Sequence, residues 1–305
     1  MDRNAYSEAN ISQIPALKLL QSMGYTYISP EDCAKQRGSR YHVLLKDILR
    51  GQLRRLNRYT YAGAENEFSS ANIERAIEDL DVPLFDGLVR TSEKIYDALL
   101  LGKSYPEVVG EGKLLSFNLK YIDWDDFGNN VFHVTEEFAV DSQDKQHNAR
   151  PDIVLFINGI PFAVIECKAP HISVDQAVEQ MIRNQQDEYI PNLFKFTQIL
   201  MATNKNEVKY ATTKTLKKFW NVWKEQDTEW LETEKERLIP NRVPTVQDSN
   251  IISLFSINRV YELIRYFVLF DANIKKICRY QQYLPSKRSS KPSTKPTRTA
   301  IAKAV

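Results

Sequence analysis

The chain has 305 residues, 43% hydrophobic and 26% charged, which is enough for one large or two modest globular domains. No apolar run reaches the length of a membrane-spanning helix, and the start, MDRNAYSEAN, lacks the apolar core of a signal peptide. Three cysteines, odd in number and far apart, argue against a disulfide framework and a zinc site. These features predict a cytoplasmic protein without a membrane partner.

The formal net charge of +2 does not make the body of the chain basic. Residues 284–305 carry six lysines and arginines and no acid, so the rest of the chain stands at +2 − 6 = −4. Because non-specific DNA binding consists of phosphate neutralisation, any DNA contact must use a local basic patch or partner subunits.

The first hundred residues are predicted to be helical. Helical periods cover residues 12–24, 44–56, 71–80 and 92–102, and Ser69 or Ser70 is a candidate cap of the third helix. The second period is locally basic. Its arginines, and one that follows it, are Arg50, Arg54, Arg55 and Arg58. A solvated helix face is the simpler interpretation of these arginines, and a DNA-facing surface is the alternative.

From residue 113 the pattern changes to alternation, which predicts strands over residues 113–124 and 128–140. A lone histidine in the second strand, His133, is interpreted as a core or surface residue rather than a catalytic one. Residues 194–203 and 208–212 predict two further strands. Together with the helices, they predict an α/β protein with a mixed central sheet and helices on its faces.

The central feature is the stretch 150–170, RPDIVLFINGIPFAVIECKAP. Two short apolar arms joined at Asn-Gly predict a β-hairpin. Because side chains alternate along a strand, Glu166 and Lys168 share one face, and Cys167 on the other is most simply a small core residue. Charges on a buried strand cost desolvation and so indicate chemistry. Asp152 and Glu166 can hold Mg²⁺, and Lys168 can orient an attacking water.

A plain two-residue turn would place Asp152 and Glu166 on different faces of the hairpin. We therefore expect one extra residue near positions 159–161, a bulge that brings the two acids level. After the hairpin, residues 173–190 predict a helix capped by Ser173. In that helix, Gln185 and Tyr189 would lie one turn apart on the same face.

The Pro-Asp, the spacer and the Glu-x-Lys of residues 150–170 resemble the PD-(D/E)xK nuclease superfamily. The block is similar to the nuclease segment of the restriction (R) subunit of type I restriction enzymes, as are the Gln-x-x-x-Tyr of Gln185 and Tyr189 and the runs IPNLFKFTQILMATNKNEVKYAT and FWNVWK. The resemblance implies a restriction-endonuclease-like α/β core with an additional helical segment. It also implies a type I site-specific deoxyribonuclease that hydrolyses double-stranded DNA with Mg²⁺ in defence against foreign DNA.

The resemblance assigns roles residue by residue. The implied catalytic residues are Asp152, Glu166, Lys168, Gln185 and Tyr189, and the implied metal-binding positions are Asp152, Glu166 and Cys167. Glu74 stands where such nucleases bring an acid to the metal from a helix, although an exposed glutamate near a helix N-terminus is as good an interpretation. The family implies modification and specificity subunits as partners, besides double-stranded DNA.

The C-terminal third changes character. Three tryptophans, Trp220, Trp223 and Trp230, predict either a base-stacking platform or, more commonly, buried helix anchors. Residues 251–270 predict one apolar helix. The run that follows resembles the segment leading into R-subunit motor domains, where a glutamine contacts the adenine of ATP, and Gln282 matches it. The chain has no Gly-x-x-x-x-Gly-Lys-Ser/Thr, so ATP is expected only in a full-length R subunit.

The expected organisation is a nuclease domain over 1–215, a charged linker or helix over 216–250, the start of a truncated motor domain over 251–283 and a disordered basic tail over 284–305. The tail is interpreted as an out-of-frame translation. Two alternatives to the nuclease function remain open at this point. One is a catalytically silent remnant that docks to partner subunits, and the other is a free-standing nuclease of the same superfamily.

Overall fold

The computed structural model of the chain describes residues 9–225 and 228–289. Eleven α-helices lie within these residues: α1 (Ile14–Ser22), α2 (Pro30–Arg37), α3 (Lys46–Leu56), α4 (Ser70–Leu80), α5 (Leu88–Leu101), α6 (Val174–Asn184), α7 (Pro191–Phe194), α8 (Glu229–Leu238), α9 (Val246–Phe255), α10 (Ile257–Phe267) and α11 (Tyr280–Ser289).

Fourteen β-strands lie within the same residues: β1 (Thr26–Tyr27), β2 (Arg58–Tyr61), β3 (Ala64–Glu67), β4 (Lys103–Val109), β5 (Lys113–Leu119), β6 (Phe132–Glu136), β7 (Val140–Asp141), β8 (Asn148–Ala149), β9 (Ile153–Ile157), β10 (Ile160–Cys167), β11 (Ile199–Thr203), β12 (Val208–Ala211), β13 (Val268–Asp271) and β14 (Ile274–Ile277). None of the helices in the described residues is long and apolar enough to span a membrane.

The chain folds into two compact units whose segments interleave along the sequence. One unit, here named the Asp152 unit, consists of Tyr25–Val164 and Asn184–Thr197. The other, here named the Glu166 unit, consists of the described residues within 1–24, 165–183 and 198–305. The sequence predicted consecutive ranges instead, and those functional boundaries stay a prediction.

The largest sheet has six strands in the order β1-β6-β9-β10-β11-β12. It is mixed, because β1 pairs with β6 in parallel while β6 pairs with β9, and β11 with β12, in antiparallel register. Strands β1, β6 and β9 belong to the Asp152 unit, β11 and β12 belong to the Glu166 unit, and the chain passes from the first to the second within β10. The expected mixed α/β architecture is thus confirmed.

The hairpin of β9 and β10 is fixed by its turn. Asn158 and Gly159 have φ angles of 52° and 82°, the pair of left-handed conformations that a two-residue type I′ turn requires. A Cβ on Gly159 would lie 2.6 Å from the carbonyl oxygen of Leu45. The buried Asn158 side chain donates to the carbonyl oxygen of Tyr121 at 2.9 Å and accepts from the amide of Val131 at 2.9 Å. The turn is therefore held by backbone conformation and by buried hydrogen bonds.

Local capping signals were predicted correctly in the helical region. The Ser69 hydroxyl accepts from the amide of Asn72 at the start of α4, and both residues also donate to the buried carboxylate of Glu107. Helix α3 continues through Gly51, where an added Cβ would meet nothing within 4 Å. The hairpins β2–β3 and β4–β5 were not predicted.

The single apolar helix expected over residues 251–270 is wrong. Ser256 is extended at φ −57° and ψ 136°, so it ends α9 and begins α10, and the chain then enters β13. Its hydroxyl donates to the carbonyl oxygen of Ile252 at 2.6 Å, a bond that competes with the helix backbone. Periodicity of apolar residues alone did not reveal this break.

The structure also bears on the predictions for the tryptophans and for the C-terminal tail. Trp220 and Trp223 are buried, which makes them anchors and excludes the base-stacking interpretation for both. One face of Trp230 lies 4.0 Å from the guanidinium carbon of Arg259. Helix α11 extends to Ser289, so the first six residues of the expected disordered tail are helical, and residues 290–305 lie outside the described residues.

Candidate functional site

Glu166 and Lys168 form an ion pair at the C-terminal end of β10. The Nζ atom of Lys168 lies 2.9 Å from Oε1 of Glu166, whose side chain is 1% exposed, while that of Lys168 is 14% exposed. The amide of Lys168 donates to the carbonyl oxygen of Thr203 at the end of β11 at 2.8 Å, which fixes the backbone of the pair. The alternation along the strand therefore brings these two side chains together as predicted.

Cys167 lies between the two charged residues, is buried and forms no disulfide. Alternation along the strand directs its side chain away from Glu166 and Lys168. A thiol is a soft ligand and does not suit Mg²⁺, which binds oxygen. Any role of this residue in magnesium binding would rest on its carbonyl oxygen and not on its side chain.

Asp152 lies immediately before β9 in the Asp152 unit and is 8% exposed. The amides of Glu137 and Phe138, two consecutive residues, donate to the carbonyl oxygens of Asp152 and Pro151 at 3.0 and 3.1 Å. Regular antiparallel pairing does not allow such bonds at two successive positions. Glu137 has a left-handed φ of 50°, a conformation that is uncommon for a non-glycine residue and that recurs at β-bulges.

The backbone irregularity beside Asp152 therefore lies at Glu137 and Phe138, which directly follow β6, the strand that pairs with β9. The extra residue expected near positions 159–161 is a separate prediction. The turn itself consists only of Asn158 and Gly159, so no extra residue is part of it. The alignment of Asp152 with Glu166 stays a prediction.

Gln185 and Tyr189 do not share a helix face, and that part of the prediction is wrong. Helix α6 ends at Asn184, and the next residues turn back, with the amide of Ile190 donating to the carbonyl oxygen of Asn184 at 3.1 Å. Pro191 begins α7 and disfavours helical conformation in the residue before it. Gln185 is buried, and the half-buried ring of Tyr189 lies 5.1 Å from that of His147.

Glu74 lies beyond the first turn of α4, so the helix dipole does not explain its position, and catalytic roles of Glu74 and His133 are not tested by the structure. Arg50 donates to both carboxylate oxygens of Glu74, from Nε and, at 3.0 Å, from Nη2, and this hydrogen bonding lowers the pKa of Glu74. Of the other arginines, Arg54 donates to the hydroxyl of Ser70 at 3.3 Å and Arg55 to the side-chain oxygen of Gln52 at 2.8 Å, while Arg58, at the start of β2, pairs with Glu67. His133 is half-buried in β6, and burial lowers its pKa.

Gln282 occupies the first turn of α11. Its side-chain oxygen accepts from the amide of Arg279 at 2.7 Å, and its own amide donates to the carbonyl oxygen of Arg279 at 2.8 Å. The first of these bonds is one half of a capping box, in which the side chain of the third helical residue satisfies the amide of the cap. Its proposed contact with adenine is not tested by this arrangement.

The side chains that could bind a metal can be compared with the ligands that Mg²⁺, the metal implied by the sequence, prefers. No group of three or more His, Cys, Asp or Glu side chains that could hold a metal occurs in the described part of the chain. A structural zinc site needs four such ligands, whereas Mg²⁺ commonly takes one or two carboxylates and completes its shell with water and substrate phosphates. The buried acids Asp152 and Glu166 suit the second pattern in chemistry and number.

One buried cluster of charged side chains was not predicted from the sequence. Lys195, 2% exposed, donates to Oδ1 of Asp81 at 2.7 Å and to the carbonyl oxygen of Val82 at 2.8 Å, and His42 contacts the other oxygen of Asp81 at 2.9 Å. Burial raises the pKa of Asp81, but the charge and hydrogen bond of Lys195 outweigh it and hold that pKa below its ordinary value. The partners are 114 residues apart, so no local pattern could reveal them.

Comparison with known proteins identifies the family to which the chain is similar. The family model described as "Type I restriction enzyme R protein N terminus" matches residues 5–219. A putative type I restriction enzyme MjaIXP endonuclease subunit of Methanocaldococcus jannaschii is 24% identical over 300 residues, which cover 93% of this chain and 27% of that protein. The type I restriction enzyme HindI endonuclease subunit of Haemophilus influenzae is 27% identical over 292 residues, 91% of this chain and 26% of that protein.

A shorter relative is the type I restriction enzyme EcoprrI endonuclease subunit of Escherichia coli, 26% identical over 199 residues, 64% of this chain and 56% of that protein. The fold and the paired charges at the end of β10 define a mixed α/β protein with a buried carboxylate–lysine site. The chain belongs to the family of type I restriction enzyme R protein N-terminal regions. It spans about a quarter of the length of the first two relatives.

Proposed function

We propose that the chain is the endonuclease region of a type I restriction R subunit, with a PD-(D/E)xK core that cleaves double-stranded DNA in a Mg²⁺-dependent hydrolysis. The observation that carries this proposal is the buried pair of Glu166 and Lys168 at a strand end, in a family whose relatives are named endonuclease subunits. Asp152 and Glu166 are the proposed metal ligands, with the carbonyl oxygen of Cys167 as a further candidate.

Each residue has a distinct proposed task. When bound, Mg²⁺ would polarise the scissile phosphate and lower the pKa of a water molecule. Lys168, held at 2.9 Å by Glu166, orients the attacking water and offsets the negative charge that develops on the phosphate. Gln185 and Tyr189 lie in the turn after α6 and support the site or a DNA phosphate, Tyr189 with its ring against His147.

The proposed partners are double-stranded DNA and the modification and specificity subunits of a type I restriction complex. Cleavage of foreign DNA by the assembled enzyme is the proposed biological role. ATP binding is proposed only for the full-length R subunit, where Gln282 would contact adenine. For the 305-residue chain alone, we expect no ATP hydrolysis, because its sequence contains no phosphate-binding loop.

The test is Mg²⁺-dependent nicking of supercoiled plasmid by the purified chain, alone and with the partner subunits and ATP. Nicking by the chain alone supports a nuclease that acts without its partners, and cleavage only in the assembled complex supports an R-subunit endonuclease region. If no cleavage occurs in either arm while the chain still joins the complex, the nuclease proposal fails and the docking function takes its place.

A further inference from the structure

A charged cleft opens beside Asp152, wholly within the Asp152 unit. Its lining includes Glu31, Arg37, Arg40, Glu137, Phe138 and Arg150. One wall is helix α2, whose residues Pro30, Ala34 and Arg37 follow one another at spacings of four and three and so share a face. The opposite wall is the irregular segment after β6 together with Arg150.

Arg37 forms the fixed base of this cleft. Its side chain is buried, with Nη1 and Nη2 donating to the carbonyl oxygen of Ala139 at 3.0 Å and its guanidinium carbon 4.0 Å from the centre of the Phe138 ring. No carboxylate in the described part of the chain forms an ion pair with it, and its Nε atom has no hydrogen-bond partner there. Burial lowers the pKa of Arg37 to about 10, so it remains charged at neutral pH.

A buried cation without a carboxylate is costly to hold, and its field is screened less than that of a surface charge. Carbonyl oxygens and an aromatic face orient Arg37 but do not neutralise it. The cleft is lined by the three arginines Arg37, Arg40 and Arg150 against the two glutamates Glu31 and Glu137, an excess of one positive charge that suits an anion. Arg40 and Arg150 are exposed at its edge and can reach a ligand without rearrangement of the fold.

Backbone hydrogen bonds connect the lining of the cleft to Asp152. Arg150 lies two residues before Asp152, and the amides of Glu137 and Phe138 hold the carbonyl oxygens of Asp152 and Pro151. The same two residues, Glu137 and Phe138, line the cleft. An anion bound there would lie at a constant distance from Asp152, because both are positioned by one stretch of hydrogen-bonded backbone.

We propose that this cleft, formed by Arg37, Arg40 and Arg150, binds a phosphodiester of the DNA backbone next to the one that is cleaved. The inference rests on the proposed nuclease function, which supplies the polyanion. Guanidinium groups match phosphate oxygens in geometry and charge and are weakly hydrated, so they release water readily on contact. The cleft positions the strand and does not take part in the reaction.

Glu137 regulates the availability of this site. Its carboxylate pairs with Arg150, and side chains of the two residues are 33% and 67% exposed, so the pair is open to exchange. A phosphate that enters the cleft takes the place of Glu137 as the partner of Arg150. Removal of the competing carboxylate should therefore strengthen DNA binding, whereas removal of the arginines should weaken it.

The experiment measures binding of the full 305-residue chain to a short fluorescent DNA duplex by anisotropy, in EDTA and over a range of salt concentrations. Absence of metal prevents cleavage, so the readout is independent of Asp152 and Glu166. The variants are Arg40→Gln with Arg150→Gln, and Glu137→Gln alone. The matched controls are Arg237→Gln and Glu234→Gln, since this pair in α8 has similar exposures of 58% and 22%.

Neutralisation of one phosphate contact changes the slope of log affinity against log salt by about 0.9. The double arginine variant should lower that slope by about 1 to 2 and weaken binding roughly tenfold at low salt. Glu137→Gln should tighten binding about two- to fivefold, and the α8 controls should match the wild type. Arg37→Lys, which keeps the charge, should retain most of the slope.

An unchanged slope in the double arginine variant, with its thermal transition intact, would overturn the assignment of the cleft. Absence of duplex binding by the wild-type chain would overturn it equally. Failure of the nuclease proposal is seen separately, in the cleavage assay with the site variants. A chain that binds through Arg40 and Arg150 but does not cleave would retain this site and lose only the catalytic proposal.

Discussion

Two buried lysine–carboxylate pairs of this protein have almost the same geometry and different contexts. Lys195 and Asp81 are 2.7 Å apart, and Lys168 and Glu166 are 2.9 Å apart. The first pair joins segments 114 residues apart within the Asp152 unit, and Val82 and His42 complete its hydrogen bonds. The second joins Glu166 and Lys168, which are two positions apart at the end of β10. It therefore does not connect segments that are distant in the sequence.

This difference distinguishes an ion pair that stabilises the fold from an ion pair that serves a reaction. A pair that links distant segments orders them relative to one another, and its desolvation is offset by the contacts that it organises. The ion pair between Glu166 and Lys168 joins residues two positions apart, so that ion pair by itself links no distant segments. We infer that Glu166 and Lys168 are buried for their chemistry, and the following predictions test that contrast.

The largest effect on stability is expected from Asp81→Asn. It leaves Lys195, which is 2% exposed, without a counter-charge, and loss of one partner from a buried pair costs about 3–5 kcal/mol. The matched variant Glu166→Gln leaves Lys168, which is 14% exposed and can turn its ammonium group to water. Its cost should be below about 1.5 kcal/mol. Urea unfolding of both variants measures the difference, and equal costs would remove the contrast.

A somewhat smaller effect is expected at the turn that presents the β9–β10 hairpin. Gly159→Ala places a Cβ 2.6 Å from the carbonyl oxygen of Leu45 at a φ of 82°, and should cost about 2–3 kcal/mol. Gly51→Ala is the matched control, since it lies inside α3 with nothing within 4 Å and should stabilise by about 0.5–1 kcal/mol. Denaturant midpoints measure both changes. A neutral Gly159→Ala would show that backbone geometry does not hold the hairpin.

The pH dependence of stability should reveal the structural pair. The pKa of Asp81 is lowered in the folded protein from its ordinary value of 3.8, so its stabilisation is complete above that value and is lost as the pH falls through the folded pKa. The difference in unfolding free energy between the wild type and Asp81→Asn should therefore shrink as the medium is acidified below about pH 4. A difference that stays constant across that range would show that the carboxylate of Asp81 is not stabilised by Lys195.

The sequence predicted what local chemistry determines. The Asn-Gly turn, the cap of α4 by Ser69, and the shared face of Glu166 and Lys168 each depend on residues within a few positions of one another. The family resemblance added the Gln-x-x-x-Tyr motif and was confirmed by the match over residues 5–219. These predictions needed no knowledge of tertiary contacts.

The remaining features depend on residues far apart in sequence. The contact of Arg37 with the carbonyl of Ala139 spans 102 positions, and nothing local distinguishes Arg37 from a surface arginine. The left-handed conformation of Glu137 is imposed by the pairing with Pro151 and Asp152, because glutamate itself has no preference for it. Helix α6 ends before Gln185 for similar reasons, since the chain must return into α7.

The central claim is tested most directly by Asp152→Asn and Glu166→Gln, in one set of preparations assayed for both DNA cleavage and thermal unfolding. Each variant keeps the size of the side chain and removes a charge proposed to bind Mg²⁺. With partner subunits, ATP and Mg²⁺, cleavage should fall at least about 100-fold, while the thermal transition stays close to that of the wild type and of Arg237→Gln. Retained cleavage in either variant would contradict the assignment of that residue, and lost cleavage together with a collapsed transition would reduce the residue to a structural one.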